Sequence, residues 1–524
     1  MMGRNWRIAA AALLLGTAAT AARAADLRMG VSAFPLSVDP HFYNGIGDRN
    51  LSLHLFSRLV EQKGDMSLAP GLAAEWKLVN DTVWEFTLRE GVTWSDGKPL
   101  TPEDVVFSLT RSANIPNSPL GYAPFTRDIA SVEVAGPRTV RIVTKQPSPI
   151  LPVNMSALSI VAKHAAEGKD SGEFDNAAVS TGTGPFRLVS FARNDRAVLE
   201  RNPAFWGEKP EWDRVEMRFI ANEGARSAAL LAGDVDLIDA PSRNDLPRLR
   251  QDERFRVVST PGNRSIMLLP NVIAEGGSPE ATDNDGKPLA RNPLRDLRVR
   301  QALSLGIDRK GLAERVLEGT AQAAGQFMWP GAYSFTPDIQ TPPFDQARAK
   351  ALLAEAGFPA GFRLTLSAFA DRPDFRTVAQ AIAQMWTRMG VRTEVNAVPA
   401  AVYLGRGAKH EYLMPFFSWG ISTGEAGYVL NNIFTTMDSQ TGAGPANWGG
   451  YSNPALDALI ARAQSTMDDA AREALLVQGQ KVVADDVAAI QLYQLVNFWA
   501  TRRGVAYEAR QDQRTVATSA HSVR

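Results

Sequence analysis

The residue types that perform most enzymatic and metal chemistry are sparse in this chain. There is no cysteine, which excludes thiolate nucleophiles, disulfides and cysteine–zinc sites. The five histidines, at positions 41, 54, 164, 410 and 521, include no pair three or four residues apart, so no two-histidine metal face on a helix is predicted. There is no Ser-x-x-Lys with its partner motifs, and the pair Asp234 and Asp236 fits strand or turn positions. The composition therefore favours binding over catalysis, with no cofactor and no metal centre expected.

An aromatic and polar segment, residues 416–425, is the best candidate for contacting a ligand. Trp419 can stack on a flat or apolar ligand surface, although a core position is the alternative. Ser422, Thr423 and Glu425 can hydrogen-bond to polar groups of a ligand, or they can lie in an ordinary surface loop. Elsewhere, two weaker candidates are Trp329 and Arg264; the latter could hold a carboxylate by two hydrogen bonds but is more simply a surface cation.

The elements that must position these residues alternate between strands and helices. Alternate apolar residues from Trp84 to Leu88 predict a half-buried strand. Thr101 predicts the N-terminal cap of a helix, and Asp345 predicts the cap of another that stops before Gly357. Further helices are predicted at 227–231, 296–305, 310–317, 379–389, 454–463 and 470–483, and further strands at 132–144, 186–191, 197–201, 235–238 and 489–496. This alternation predicts an α/β protein with mixed sheets.

Other stretches are predicted from composition. Residues 274–292 are polar and contain Gly and Pro, which predicts an exposed loop. The polar tail after Tyr507 is predicted to be partly disordered. Five tryptophans, at positions 76, 84, 94, 206 and 212, are predicted to lie in the core.

The first 24 residues have the layout of a secretory signal peptide. Arg4 and Arg7 precede an apolar run at 8–19 that is too short to span a bilayer, and Ala22-Arg23-Ala24 fits a cleavage site before Ala25. No cysteine stands at the junction, so a lipid-anchored form is excluded and a periplasmic location is predicted. The 524 residues predict two or three domains. Lys plus Arg and Asp plus Glu both number 56, and the absence of a basic excess argues against nucleic acid as a partner.

Several motifs, in order and spacing, resemble the extracellular solute-binding proteins of family 5, which include periplasmic dipeptide-, oligopeptide- and nickel-binding components of ATP-driven importers. The resemblance covers residues 27–506. It is carried by Pro70-Gly71-Leu72-Ala73 with Trp76, by residues 84–97, by Leu100-Thr101-Pro102-Glu103-Asp104, by Thr183-Gly184-Pro185-Phe186, by Asn202-Pro203-Ala204-Phe205-Trp206, and by residues 298–309 and 349–358.

The resemblance implies a bilobed periplasmic binding protein: two mixed α/β lobes joined by a hinge of crossing strands, plus an additional β-rich subdomain. The ligand would be enclosed as the lobes close. The implied division is a signal peptide at 1–24, lobe I at 25–59 and 176–262, the additional subdomain at 60–175, lobe II at 263–481, and the C-terminal part of lobe I with the tail at 482–524.

The resemblance also bears on the ligand. Peptide binders of the family commonly carry Trp, two residues and then Asp in this region, and that aspartate pairs with the terminal ammonium of the ligand. Trp419 matches, but Ser422 stands where the acid is expected, and a hydroxyl cannot neutralise a buried ammonium. Glu425 could substitute if the loop brings it round; otherwise the ligand is not an ordinary peptide with a free amino end. The loop after the first strand also faces the cleft in the family, which adds Tyr43 and Asn44 as candidates.

The implied function is that of a monomeric periplasmic protein that captures a small solute and delivers it to the permease subunits of an ABC importer in the inner membrane. A short or modified peptide is the default solute. An opine, an oligosaccharide or a metal chelate held with His41 or His410 are alternatives. An exported hydrolase and a chemoreceptor partner are the other classes, and turnover of candidate substrates would separate an enzyme from a binding protein.

Overall fold

The computed structural model describes residues 25–523, so the predicted signal peptide lies outside the described residues. Within that range the chain forms twenty strands. They are β1 Asp26–Val31, β2 Val60–Gln62, β3 Leu68–Pro70, β4 Ala73–Asn80, β5 Val83–Leu88, β6 Ile129–Gly136, β7 Thr139–Thr144, β8 Phe186–Ala192, β9 Arg196–Arg201, β10 Arg214–Phe219, β11 Leu237–Asp239, β12 Phe255–Leu268, β13 Ala281–Thr282, β14 Ala321–Ala323, β15 Phe362–Phe369, β16 Val391–Val398, β17 Phe416–Gly420, β18 Ile490–Arg502, β19 Val505–Tyr507 and β20 Ala520–Ser522.

The same range contains fifteen α-helices. They are α1 Ile46–Leu55, α2 Pro102–Ser112, α3 Ala123–Thr126, α4 Leu151–Met155, α5 Lys163–Ala166, α6 Glu223–Ala232, α7 Leu246–Gln251, α8 Leu297–Leu305, α9 Arg309–Gly311, α10 Gln346–Glu355, α11 Pro373–Arg388, α12 Ala400–Ala408, α13 Ala426–Val429, α14 Pro454–Ser465 and α15 Asp469–Asp485. None of the helices within 25–523 combines the length and apolar content needed to cross a membrane.

Two long antiparallel strands, β12 and β18, carry the largest sheet across the molecule. The strand order is β17, β12, β18, β11, β1, β10, β9, β8, with β14 beside β18. Phe255, at the start of β12, packs in one hydrophobic cluster, whereas Leu268, at its end, packs in another. The pairing with β18 is irregular between Pro261 and Ser265, halfway between these clusters. This break in the ladder is a natural place for the sheet to bend.

The hydrophobic residues form separate cores on the two sides of this crossing. We name lobe I the part built around β1 and β10, whose core includes Met29 and Met217. We name lobe II the part built around the parallel strands β15 and β16, whose core includes Leu366 and Trp386. A four-stranded antiparallel sheet, in the order β4, β5, β7, β6, packs with α2 around Trp94 and forms a further β-rich unit. The observed architecture is therefore the predicted bilobed α/β fold with an additional β-rich subdomain.

Two helix starts follow directly from capping residues, as predicted. At the start of α2, the Asp104 carboxylate accepts a hydrogen bond from the Thr101 backbone N–H at 2.9 Å. At the start of α10, the Asp345 carboxylate accepts from the Arg348 N–H at 2.8 Å. Gly357, just after α10, has a φ of 91°, a conformation that favours glycine and ends the helix.

The predicted core positions hold for some tryptophans and not for others. Trp94 and Trp212 are buried. Trp76, Trp84 and Trp206 are only half-buried against the core of the β-rich subdomain, so the prediction overstated their burial. An antiparallel sheet can keep one face toward water, which accounts for Trp76 on β4 and Trp84 on β5. Trp206 lies outside this sheet, after β9, and its indole N–H donates to the Ser57 hydroxyl at 3.0 Å.

Several predicted boundaries were wrong. The helix predicted at 310–317 is the short α9 followed by a π-helical turn at Leu312–Val316. Helix α11 begins at Pro373, earlier than the predicted residue 379, because a proline is well suited to a first helical turn. The strand predicted at 489–496 is the thirteen-residue β18, and it runs through the middle of the sheet.

The predicted exposed loop at 274–292 is partly built into lobe II. Ala281 lies in β13, pairs with Leu364 of β15 and is fully buried. Asn292 is also buried, and its side-chain amide donates to the Asn271 carbonyl at 2.8 Å. The small side chain of Ala281 fits against the sheet, which composition alone did not indicate.

The expectation of a partly disordered tail after Tyr507 was also wrong. Strand β20 pairs with β19, and Trp212 of lobe I donates its indole N–H to the Ala520 carbonyl at 2.8 Å. Thr515 and Ala517 are fully buried, and the Ala517 N–H donates to His54 Nε2 at 2.9 Å. The polar tail is ordered because its backbone groups find partners on lobe I.

Candidate ligand-binding site

The two lobes approach each other where the irregular part of β12 meets the segment after β17. The Asn263 N–H donates to the Gln511 carbonyl at 2.9 Å, and the Asn263 carbonyl accepts from the Ile421 N–H at 2.7 Å. Met66, in the hairpin of β2 and β3, lies with its Cβ 3.1 Å from the place that a Cβ on Gly424 would occupy. The hinge strands, the C-terminal tail and the segment after β17 therefore border one region.

Trp419 forms the aromatic part of the lobe II side. Its ring stacks on Phe417 at a centroid distance of 5.8 Å and an interplanar angle of 13°, and lies 5.6 Å from the ring of Tyr428. The ring is half-buried against the lobe II core. Its indole N–H is buried and has no hydrogen-bond partner within residues 25–523. A buried donor without a partner is uncommon in folded proteins, so this N–H is suited to a ligand acceptor.

The polar residues after Trp419 lie beside Tyr428, on α13. The hydroxyl of Ser422 faces that of Tyr428, and burial raises the pKa of the Tyr428 phenol. Thr423 is 8% exposed, and its hydroxyl has no partner in the described part of the chain. The structure thus brings Trp419, Ser422 and Tyr428 together, with Thr423 adjacent in the chain.

Glu425 is placed differently from its neighbours. Its carboxylate forms an ion pair with Arg472 at 2.5 Å, and both side chains are only 7% exposed. The ring of Tyr333 lies 5.6 Å from the Arg472 guanidinium and covers it. Because the carboxylate is already neutralised by a buried arginine, it is not an open partner for a ligand ammonium.

Tyr43 and Asn44 lie on the lobe I side. The Asn44 N–H donates to the Leu120 carbonyl at 2.8 Å, which fixes this loop to the β-rich subdomain. A Cβ on Gly45 would come within 2.2 Å of the Tyr43 ring, so glycine there makes room for the ring. The side-chain oxygen of Asn44 is buried and has no partner in the described residues. It is therefore an acceptor still available at this edge of lobe I.

The structure does not bring Arg264 and Trp329 to the same surface as Trp419. On β12, Ser265 is directly opposite Trp419, whereas Arg264 is opposite Gly420 and therefore points to the other face of the sheet. Arg264 donates to the Ser418 hydroxyl at 3.3 Å. Trp329 is 1% exposed and packs in the lobe II core.

Sequence reasoning missed Arg49, which lies in α1. Its guanidinium is within electrostatic reach of Tyr122 of the β-rich subdomain, of Arg58 and Asp512 on lobe I and of Tyr428 on lobe II, and burial lowers its pKa. Across residues 25–523 it has no hydrogen bond from its side chain and no ion pair. One feature of the sequence could have indicated it. A cation near the start of a helix interacts unfavourably with the helix dipole, so an arginine at this position suggests a functional role.

His41 and His410, the two histidines considered for holding a metal chelate, are both hydrogen-bonded to backbone carbonyls. His41 is fully buried, its Nε2 donates to the Ser159 carbonyl at 2.8 Å, and its Nδ1 accepts from Arg111 at 3.1 Å. Burial lowers the pKa of His41 to about 4. His410 Nδ1 donates to the Trp448 carbonyl at 3.2 Å. Within residues 25–523 no group of three or more His, Asp or Glu side chains is arranged to hold a metal ion.

Comparison with known proteins identifies the family of this chain. A profile described as "Bacterial extracellular solute-binding proteins, family 5 Middle" matches residues 67–441. The chain belongs to this family. The chain is 28% identical over 480 residues to the dipeptide-binding protein of Escherichia coli (strain K12), covering 87% of this chain and 86% of that one. It is 26% identical over 477 residues to heme-binding protein A of Haemophilus influenzae (strain ATCC 51907 / DSM 11121 / KW20 / Rd), covering 85% and 83%.

A solved structure agrees with the fold of this family 5 protein. HbpA2 from Haemophilus parasuis superposes with a TM-score of 0.82 at 24% identity, over 95% of this chain and 100% of that chain. The family resemblance and the bilobed fold expected from the sequence are both confirmed. As a family 5 solute-binding protein, the molecule works by binding a solute.

Proposed function

We propose that this protein is the extracytoplasmic receptor of an ABC importer and that it holds a small solute between its lobes. Lobe I would contribute Tyr43, Asn44 and Arg49, and lobe II would contribute the Trp419–Thr423 segment with Tyr428. The observation that carries this proposal is the pair of polar groups without partners in the lobe II segment beside the hinge, namely the Trp419 indole N–H and the Thr423 hydroxyl. The unpartnered Asn44 oxygen belongs to the lobe I loop that the family resemblance assigns to the cleft. A ligand that satisfies them gains hydrogen bonds that the empty protein cannot make.

Closure would occur by bending at the irregular part of β12 and β18. Within residues 25–523, β12 and β18 are the strands that join the lobe I part of the large sheet to β17 of lobe II. A solute that contacts both lobes favours the closed arrangement by the contacts that exist only there. The permease subunits would then recognise the closed arrangement and receive the solute from it.

Peptides and modified peptides are the first solutes to test, because one relative is named a dipeptide-binding protein. Ser422 occupies the position expected for an acid, and the carboxylate of Glu425 is paired with Arg472. These features favour a solute without a free ammonium group, such as an N-blocked peptide. They also leave opines, oligosaccharides and metal chelates as solutes to compare.

The remaining assignments are part of the same proposal. The protein is exported by residues 1–24, acts in the periplasm as a monomer, and uses an inner-membrane permease as its partner. Lobe I comprises 25–59, 176–262 and 482–524, the subdomain comprises 60–175, and lobe II comprises 263–481. The break in the pairing of β12 and β18 between Pro261 and Ser265 supports the boundary at residue 263.

Tryptophan fluorescence of residues 25–524 tests the proposal. We expect titration with N-blocked di- and tripeptides, or with solutes from the growth medium, to change the fluorescence, and the Trp419→Phe variant to lose most of that change. Trp76→Phe, which alters a half-buried tryptophan of the subdomain, is the matched control and should keep it. Deleting the gene should abolish uptake of the same solute. Hydrolysis of the peptides, or an unchanged response in the Trp419 variant, would contradict the proposal.

A further inference from the structure

The lobe I side of the proposed site has an excess of positive charge. Asp512 accepts from Arg510 at 3.0 and 2.6 Å through two hydrogen bonds and lies 3.5 Å from Arg514. Arg58 pairs with Glu61 at 3.5 Å. Both carboxylates in this group therefore already have partners.

Arg49 lies beside this group and, within residues 25–523, has no carboxylate partner. It is close enough to Asp512, Arg58 and Arg514 to interact electrostatically with each, yet it forms no ion pair within residues 25–523. Burial and the neighbouring arginines, Arg49 among them, lower the pKa of Arg514 to about 9. A half-buried guanidinium among other arginines is unfavourable unless something else compensates it.

Neither of the two lobe II positions considered for an acid can do so. Glu425 is neutralised by Arg472 at 2.5 Å, and the position of the expected acid is Ser422. What lobe II presents near Tyr428 is instead a hydrogen-bond donor, the unpartnered indole N–H of Trp419.

The Trp419 ring lies 5.6 Å from that of Tyr428, and Arg49 is within electrostatic reach of the same tyrosine. The next residue, Asn50, accepts from the Thr515 N–H at 3.1 Å, and the same tail reaches the Trp419 segment through the Gln511–Asn263–Ile421 hydrogen bonds.

We propose that the solute is an oxyanion without a free ammonium group, whose carboxylate or phosphate oxygens accept hydrogen bonds from the Arg49 guanidinium and the Trp419 indole. This inference rests on the proposed function and narrows it to a class of solute. The guanidinium matches an oxyanion because its N–H groups can donate two parallel bonds to one acidic group. Because the donors come from opposite lobes, the acidic group bridges the lobes and favours closure.

The effect of removing Arg49 on protein stability distinguishes a binding role from a structural role. An arginine that stabilises the fold leaves its partners unsatisfied when it is removed, and the protein becomes less stable. Arg49 has no such partners, and removing its charge relieves repulsion from Arg58 and Arg514. Arg49→Gln should therefore unfold at a temperature equal to or higher than that of the wild type in the absence of solute, while its binding is lost.

The test uses residues 25–524 and the small molecules of the source bacterium's growth medium, separated by ion exchange into anionic, neutral and cationic fractions. The melting temperature is measured with a dilution series of each fraction for the wild type, Arg49→Gln and the control Arg218→Gln. Arg218 is a half-buried arginine of β10 that pairs with Glu216 at 2.8 Å. Treating the active fraction with phosphatase separates a phosphate solute, which loses activity, from a carboxylate solute, which keeps it.

We expect only the anionic fraction to raise the melting temperature of the wild type and of Arg218→Gln, and Arg49→Gln to need at least tenfold more of it. Activity confined to the neutral or cationic fraction would overturn the inference and leave the proposed function intact. Normal binding by Arg49→Gln together with a lower melting temperature would also overturn it, because that result assigns Arg49 to the fold. If no fraction stabilises the wild type, both the inference and the proposed function fail.

Discussion

At the scale of single residues, Glu425 and Arg472 stabilise lobe II as a buried pair. Arg472→Met leaves the Glu425 carboxylate buried with no cation, and we expect it to lower the free energy of unfolding by about 3 kcal/mol. The double variant Glu425→Gln, Arg472→Met removes both charges and should lose clearly less. Urea unfolding of the two single variants and the double variant gives the coupling energy. Losses that simply add would mean that the two side chains act independently.

Asp48 provides a prediction about pH. The side chain is 3% exposed, and burial raises its pKa to about 6 even though the Leu36 and Ser37 N–H groups donate to it. A raised folded-state pKa means that the folded protein binds the proton more tightly than the unfolded chain. The stabilisation is therefore present at acidic pH and is lost as the pH rises through about 6.

We expect this dependence to disappear in Asp48→Asn. Between pH 7 and about pH 4.5, the wild type should gain about 2 kcal/mol of unfolding free energy relative to the variant. Urea unfolding at the two pH values measures the difference. A constant difference between wild type and variant at both pH values would contradict the raised pKa.

Some of the candidate site residues could be predicted from the sequence, and others could not. Trp419 and Ser422 were predictable, because the resemblance assigns a role to their spacing. The pairing of Glu425 with Arg472 was not, because the two are distant in the sequence and meet only through the packing of α13 on α15. Arg49 was missed because a cation near a helix start is a weak signal in the sequence, and its lack of an ion-pair partner within residues 25–523 is visible only in the folded arrangement.

At the scale of elements, the segment from β19 to β20 stabilises lobe I. Ala517 is fully buried, so Ala517→Glu should place an unpaired charge in the core and cost roughly 3 kcal/mol of unfolding free energy. Ser522→Gln, at an exposed position of β20, should be neutral. Denaturant unfolding compares the two. Equal stability of both variants would contradict the burial of Ala517 and favour the disordered tail predicted from the sequence.

Elements set by local residues were predicted well, and elements set by distant partners were not. The starts of α2 and α10 follow from caps within three residues, Thr101 with Asp104 and Asp345 with Arg348. Strand β13 and the tail instead depend on neighbours far away in the chain, β15 for the strand and lobe I for the tail. Hydrophobic periodicity contains no information about such partners.

At the scale of the whole molecule, the approach of Met66 to Gly424 allows the lobes to be fixed together. The chain contains no cysteine, so the double variant Met66→Cys, Gly424→Cys has a single possible disulfide. The relevant Cβ positions are 3.1 Å apart, slightly closer than the roughly 3.5–4.5 Å of natural disulfides. We expect the oxidised protein to release bound solute at least tenfold more slowly than the reduced one.

Stopped-flow tryptophan fluorescence measures that release, and Met66→Cys alone is the control. Gly424 has a φ of 75°, so the reduced double variant should be less stable than the wild type by about 1 kcal/mol. Identical release from the oxidised and reduced forms would mean that the lobes move without separating at this contact.

The packing of β1 and β20 in the same lobe has a consequence for the order in which the protein folds. The Ala25 N–H donates to the Asp213 carboxylate at 2.9 Å, and the neighbouring Trp212 donates to the Ala520 carbonyl. The four-stranded subdomain sheet and the β15–β16 unit of lobe II are each made from nearby stretches of chain, and such contacts form quickly. Lobe I needs its first strand and its last residues at once. A chain that emerges from its N-terminus therefore completes lobe I, and with it the solute cleft, only after residues 505–522 have been made, later than the β-rich subdomain and the β15–β16 unit.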